Sequence, residues 1–221
     1  MGLDRPARRV AMLPCVLALV ALAVSASAAA NQDAPTSKTI AMIGAGHMGQ
    51  ALGNLWAAAG YHVIFASRHP DALDDVVKAA GHGAETASVG AAIARADIIT
   101  LAVPYKAEPS IARAHGDAMK GKVLIDVDNA LAHRDGEIAG KAEIVGEAIY
   151  SARLFEGTRF VRAFNLKSAS SFPEPGDVHS AEFKIPWTTN DASVRPIAEA
   201  LIRATGGTPA YEGGLENARE Y

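Results

Sequence analysis

Gly44, Gly46 and Gly49 stand in the spacing G-x-G-x-x-G within Lys38-Thr-Ile-Ala-Met-Ile-Gly-Ala-Gly-His-Met-Gly49. At this spacing the first glycine permits a tight turn, the second lets the backbone approach a pyrophosphate, and the third lets a helix pack close to a strand. A helix that starts there offers unpaired N–H groups and a positive dipole end to an anion. In a chain with 20 glycines the triplet alone carries little, so the flanks decide. Residues 39–43 read as a buried strand, and residues 50–59 carry Leu52, Leu55 and Trp56 at helical spacing before stopping at Gly60. Gly44, Ala45, Gly46, His47, Met48 and Gly49 are therefore expected to cradle a dinucleotide. The competing reading is an ordinary glycine-rich turn between strand and helix.

The residue that ends the second strand of such a unit reads the ribose, and an Asp or Glu there selects NAD. This chain has Ser67-Arg68-His69 instead. A carboxylate repels a 2′-phosphate, whereas a hydroxyl and a guanidinium bind one, so NADP(H) is the expected cofactor. Alternatively, Arg68 is a solvated loop residue paired with Asp71, Asp74 or Asp75. Ala102-Val103-Pro104-Tyr105 closes the strand at 97–103, and Pro104 holds Val103 extended. A rigid apolar edge of this kind suits a nicotinamide ring, although Pro104 could simply end the strand. Asp126, Asp128, Asn129 and Asn165 reach the same rim, and each is equally readable as a turn or capping residue; Asn129 and Asn165 are carried forward as cofactor-binding candidates.

No catalytic residue is assigned, because the chain shows no Ser/His/Asp set, no evident catalytic Lys, and a single cysteine, Cys15, within its first 30 residues. The seven histidines have no paired ligand spacing, so no metal is expected. Hydride transfer between two stacked rings needs little beyond orientation. A ketone or imine would require a proton donor, for which Tyr105, His133 and Lys167 are the candidates.

Strand and helix patterns alternate around these residues. Strands are expected at 39–43, 62–66, 97–103, 123–127 and 159–164, with helices at 50–59, 71–80, 88–96, 111–119 and 138–148. Residues 170–179 read as a loop, and a last strand–helix–strand unit follows at 183–188, 192–205 and 208–211. The fold class is thus α/β, a doubly wound, mostly parallel sheet with a small C-terminal extension. Residues 1–30 read as a signal peptide, with Arg5, Arg8 and Arg9 ahead of an uncharged run of 15 residues at 10–24. That run is short of the roughly 20 residues of a membrane-spanning helix. Export to the periplasm is expected, by the twin-arginine route that Arg8-Arg9 would suit or by the Sec route, with no stable membrane insertion after cleavage; the competing reading is an uncleaved anchor. Residues 31–37 are a linker and residues 38–221 one domain. Residues 31–221 hold 18 basic against 23 acidic residues, a net charge of −5 that gives no footing for nucleic acid.

The ordered set formed by residues 40–49, Ser67-Arg68, Leu101-Ala-Val-Pro-Tyr105, Asp126-Val-Asp-Asn-Ala-Leu131, Val161-Arg-Ala-Phe-Asn165 and Gly213-Gly-Leu-Glu-Asn-Ala-Arg219 resembles the coenzyme F420-dependent NADP reductase family. The likeness covers essentially all of residues 38–221. It implies a Rossmann domain with NADPH in the glycine turn and a deazaflavin in a cleft over the nicotinamide. The expected activity is hydride transfer between NADP(H) and a small-molecule, flavin-like acceptor, F420 or FMN/FAD as co-substrate, with ferric ion downstream. Two alternatives stay open: a reductase of imines, pyrroline-5-carboxylate or hydroxy acids, whose large helical domain would have to come from a homodimer, and a sensor that binds NADP(H) without turnover.

Overall fold

The structure, a computed structural model, describes residues 1–2, 38–175 and 183–220. The proposed signal peptide and linker, and part of the loop read at 170–179, lie outside the described residues. Among the described residues, eight strands form one sheet: β1 (Thr39–Ile43), β2 (His62–Ser67), β3 (Glu85–Ser88), β4 (Ile98–Leu101), β5 (Val123–Asp126), β6 (Arg159–Ala163), β7 (Lys184–Thr188) and β8 (Thr208–Tyr211). Their order is β3-β2-β1-β4-β5-β6-β7-β8, and every pairing is parallel except β6 with β7. Successive strands run outward from β1 in both directions, so the topological switch lies between β1 and β4. Open α/β sheets bind ligands there, outside the carboxyl ends of the strands.

The helices are α1 (His47–Ala58), α2 (Asp74–Ala80), α3 (Val89–Arg95), α4 (Glu108–Met119), α5 (Ala132–Asp135), α6 (Glu137–Val145), α7 (Glu147–Leu154) and α8 (Arg195–Ala204). Because strand side chains alternate between faces, Ile40, Met42, Val63 and Phe65 point to one side of the sheet, and Ala41, Ile43, Ile64 and Ala66 to the other. The first side is covered by α1 and α8 through Leu52, Trp56, Leu201 and Ile202; the second by α3, α4 and α7 through Ile93, Met119, Ala148 and Phe155. Trp56 is fully buried and donates its indole N–H to the carbonyl of Leu201 at 2.9 Å, which ties α1 to α8. Both faces of the central strands are thus covered, which is why those strands read as continuous apolar runs.

Besides the single helical turn α5, which was not expected, two elements differ from the sequence expectation. Residues Glu85–Ser88 form an edge strand beside β2, where Glu-Thr-Ala-Ser offers no apolar run because only one of its edges is paired. The helix expected at 138–148 is two helices, α6 and α7, divided at Gly146, whose φ of +88° lies outside helical space.

Candidate functional site

The three glycines are constrained differently. Gly44 has φ +102°, and a Cβ there would lie 2.2 Å from the carbonyl oxygen of Ala102, so β1 turns tightly against β4 only without a side chain. A Cβ on Gly49 would lie 2.0 Å from the carbonyl oxygen of Gly44. Gly46 has φ −73° and ψ −172°, a conformation open to any residue, and a Cβ there would meet nothing within 4 Å. The fold itself makes no demand for glycine at this position. What a side chain would obstruct is open space in front of the N-terminus of α1. No side chain caps that terminus and no acidic residue sits in its first turn, so its leading N–H groups and positive dipole end face the same space. The residues present therefore fit a pyrophosphate. His47 is exposed and Ala45 and Met48 are half-buried, with Met48 against the core. Gln50 donates its Nε2 to the carbonyl of Ala45 at 2.7 Å and braces the turn.

Ser67 ends β2, and its Oγ accepts the N–H of His69 at 3.0 Å, an ST turn that brings the chain around at this corner. Arg68 is exposed and makes no ion pair with a described residue, so Asp71, Asp74 and Asp75 do not occupy it. Ser67 and Arg68 stand at the carboxyl end of the strand beside β1.

Ala102 continues the pairing of β4, its N–H donating to Ile43 at 2.9 Å, and Val103 and Pro104 stand half-buried and exposed at the rim. Tyr105 turns the other way. Its side chain is fully buried, its hydroxyl donates to the carbonyl of Glu147 at 2.8 Å and accepts from Ser151 at 2.9 Å, and burial pushes its pKa far above the ordinary phenol value. It presents no hydroxyl to the rim. Both roles expected of Tyr105, a place in the cofactor-binding edge with residues 102–104 and a proton donor, are thereby corrected: a fully buried side chain whose hydroxyl is engaged inside the core reaches neither cofactor nor substrate. His133 lies exposed on α5, and Lys167 stacks over the ring of Phe183 at 4.8 Å.

Asn129 and Asn165 come together. Asn129 donates its Nδ2 to the carbonyl of Asn165 at 2.8 Å, and Asn165 donates its Nδ2 to the carbonyl of Arg219, also at 2.8 Å. The residue before Asn165 is unusual, since Phe164 has φ +67°, a left-handed conformation costly for a bulky side chain. Its ring is held between Trp56, at 5.9 Å, and Phe172, at 6.0 Å, and that packing holds the turn after β6. Strain of this kind concentrates at functional rims.

Beneath the rim lies a buried charge network that the sequence pattern left unread. Arg162, on β6 and 1% exposed, donates to Asp126 Oδ2 at 2.7 Å, Glu147 Oε2 at 2.8 Å and Glu220 Oε2 at 3.1 Å. Asp126 accepts the N–H of Asp128 at 2.9 Å, Asp128 accepts the N–H of Val103 at 2.8 Å, and Glu147 accepts the N–H of Ala130 at 3.1 Å. Glu108, fully buried on α4, shares a 2.6 Å hydrogen bond with Ser151 Oγ. Burial, reinforced by the neighbouring Asp126 carboxylate, holds the carboxyls of Glu108 and Asp128 well above the usual carboxylate range. Burial and the nearby Glu220 lift Glu147 to about 7, against the pull of the Ala130 N–H and Arg162. Glu108, Asp126 and Asp128 each place one oxygen within 4.8 Å of the others. Both Asp126 oxygens already accept hydrogen bonds, whereas Glu108 Oε1 and Asp128 Oδ2 are buried without a hydrogen-bond partner among the described residues, and burial favours the protonated form of all three carboxyls. Asp126 and Asp128 thus support the rim from within. Arg162, Glu108 and Glu147 were missed, although an arginine between Val161 and Ala163 in a buried strand demands carboxylate partners.

A family model described as NADP oxidoreductase, coenzyme F420-dependent, matches residues 39–130. The chain is 34% identical, over 197 residues, to the F420-dependent NADP reductase of Methanothermobacter thermautotrophicus, covering 81% of this chain and 83% of that one. A solved structure from Arthrobacter sp. FB24, provisionally described as an F420-dependent NADP reductase, superposes with a TM-score of 0.67 at 21% identity over 83% of this chain and 88% of that one. An imine reductase from Bacillus cereus superposes at 0.61 and 22% identity, over 80% of this chain but only 55% of its own length. These two structural likenesses show the shared fold. The family follows from the Methanothermobacter relative, aligned across most of both chains: this protein belongs to the coenzyme F420-dependent NADP oxidoreductases.

Proposed function

We propose that the chain transfers a hydride between NADPH and a deazaflavin-type acceptor, F420 or a chemically similar flavin. The observation that carries this reading is Gly46, a glycine that neither backbone conformation nor packing requires, facing open space before an uncapped helix. Ser67 and Arg68, which has no ion-pair partner among the described residues, would hold the 2′-phosphate, and Ala102, Val103 and Pro104 would form the apolar wall beside the nicotinamide. When bound, NADPH supplies the hydride, and the protein supplies orientation and exclusion of water. With Tyr105 turned into the core, the rim is better suited to ring-to-ring transfer than to general-acid reduction of a carbonyl.

The imine reductase likeness favours a second reading on one ground only, the shared fold, while this chain spans about half of that enzyme's length. An anaerobic screen of NADPH oxidation against F420, FMN, FAD, ferric chelates and cyclic imines separates them. Oxidation with F420 or a flavin supports the proposal. Turnover with a cyclic imine alone overturns it, and NADPH binding without turnover by any acceptor favours a sensor.

A further inference from the structure

Three loops make the rim, after β4, β5 and β6, and a hydrogen-bonded group of each ends on a side chain that touches Arg162. After β4, the Val103 N–H donates to Asp128, whose own N–H donates to Asp126, which holds Arg162 Nη1. After β5, the Ala130 N–H donates to Glu147, which holds Arg162 Nη2. After β6, the Asn165 carbonyl accepts from Asn129, whose Oδ1 accepts from Arg162 Nη2 at 3.4 Å. The guanidinium is 1% exposed and makes its contacts below the rim. A planar fork with separate N–H pairs can serve Asp126 and Glu147 together, which a lysine ammonium, a compact point charge, does not.

We propose that Arg162 is a positioning residue that fixes the nicotinamide side of the site through Asp126, Asp128 and Glu147. The inference rests on the NADP(H) reading above. It separates two halves of one ligand: the adenosine half lies against Ser67, Arg68 and the glycine turn, which hydrogen-bond to no member of the network and touch it only where Gly44 packs beside Val103, whereas the nicotinamide half lies against the loops that Arg162 organises.

The test compares binding of NADPH with binding of 2′,5′-ADP, the adenosine half alone, by full-length wild type, Arg162→Lys and Glu147→Ala. Arg162→Lys is expected to weaken NADPH about tenfold, or about 1.4 kcal/mol, while 2′,5′-ADP stays within about twofold. Glu147→Ala removes the acceptor of the Ala130 N–H and one partner of Arg162 while leaving Asp126 paired. It is expected to show the same split, and it decides the matter if Arg162→Lys does not fold. Equal weakening of both ligands, as general destabilisation would give, or no weakening of either, overturns the positioning role. Wild type that binds neither ligand overturns the cofactor reading itself, and with it this inference.

Discussion

The backbone of Gly44 approaches Ala102 so closely that a Cβ on Gly44 would sit 2.2 Å from the Ala102 carbonyl oxygen. This contact joins the phosphate turn after β1 to the apolar rim after β4 across the switch point, and it sets different outcomes for the three glycines. Gly44→Ala and Gly49→Ala are expected to destabilise the fold, since each places a Cβ against backbone that cannot give way. Gly46→Val should fold like wild type and lose NADPH binding. Circular dichroism melts beside NADPH titrations check this, and unchanged NADPH affinity in folded Gly46→Val would place the cofactor elsewhere.

Arg68 is exposed without an ion-pair partner among the described residues, so it is available to a 2′-phosphate. Arg68→Ala should weaken NADPH by about 1.5–3 kcal/mol, the net scale of hydrogen bonds to charged groups. NADH binding should hardly change. Calorimetry with both cofactors tests the point, and equal wild-type affinities for NADPH and NADH would remove the basis for NADP selectivity.

Tyr105 is buried between Glu147 and Ser151, so its removal is a stability experiment. Tyr105→Phe removes a buried hydroxyl that bonds the Glu147 carbonyl and Ser151, and should cost about 0.5–1.5 kcal/mol of folding free energy. Turnover should fall far less than the roughly 10²–10⁴-fold expected on losing a general acid. Urea melts and steady-state rates measured on the same preparation separate the two. A thousandfold loss of rate at intact NADPH affinity would argue for a carbonyl or imine substrate.

Glu147 gives the fold a pH dependence. Its folded-state pKa of about 7 lies above the ordinary 4.5, so between those values the native state holds more proton than the unfolded chain. Stability from this group is fully present below about pH 4.5 and is lost as pH rises through 7. Glu147→Gln cannot ionise and should flatten that part of the profile relative to wild type. Denaturant midpoints of both proteins from pH 4.5 to 8 provide the measurement; parallel curves would show that Glu147 titrates normally.

How much of this was readable in the sequence depends on whether the information was local. The glycine turn, the Ser67-Arg68 corner and the apolar central strands were legible because spacing and strand ends carry them. The edge strand at Glu85 was not, since a strand paired on one side needs no apolar run. Nor was the direction of Tyr105, because a turn after Pro104 can send the next side chain either way. Asp126 and Asp128 were read at the rim as one group, but whether a carboxylate faces solvent or Arg162 depends on a β5–β6 register separated by some 36 residues. The buried network is a long-range property, and local pattern does not report it.

The most direct test of the central claim follows the hydride itself. NADPH carrying deuterium at the nicotinamide C4 transfer position is mixed anaerobically with the protein and F420, and the reduced deazaflavin is weighed by mass spectrometry. Direct ring-to-ring transfer places the label on the deazaflavin carbon, where it is retained, so one deuterium per reduced molecule is expected. Reduced F420 without the label, or no reduction of F420 by a protein that binds NADPH, would contradict the account.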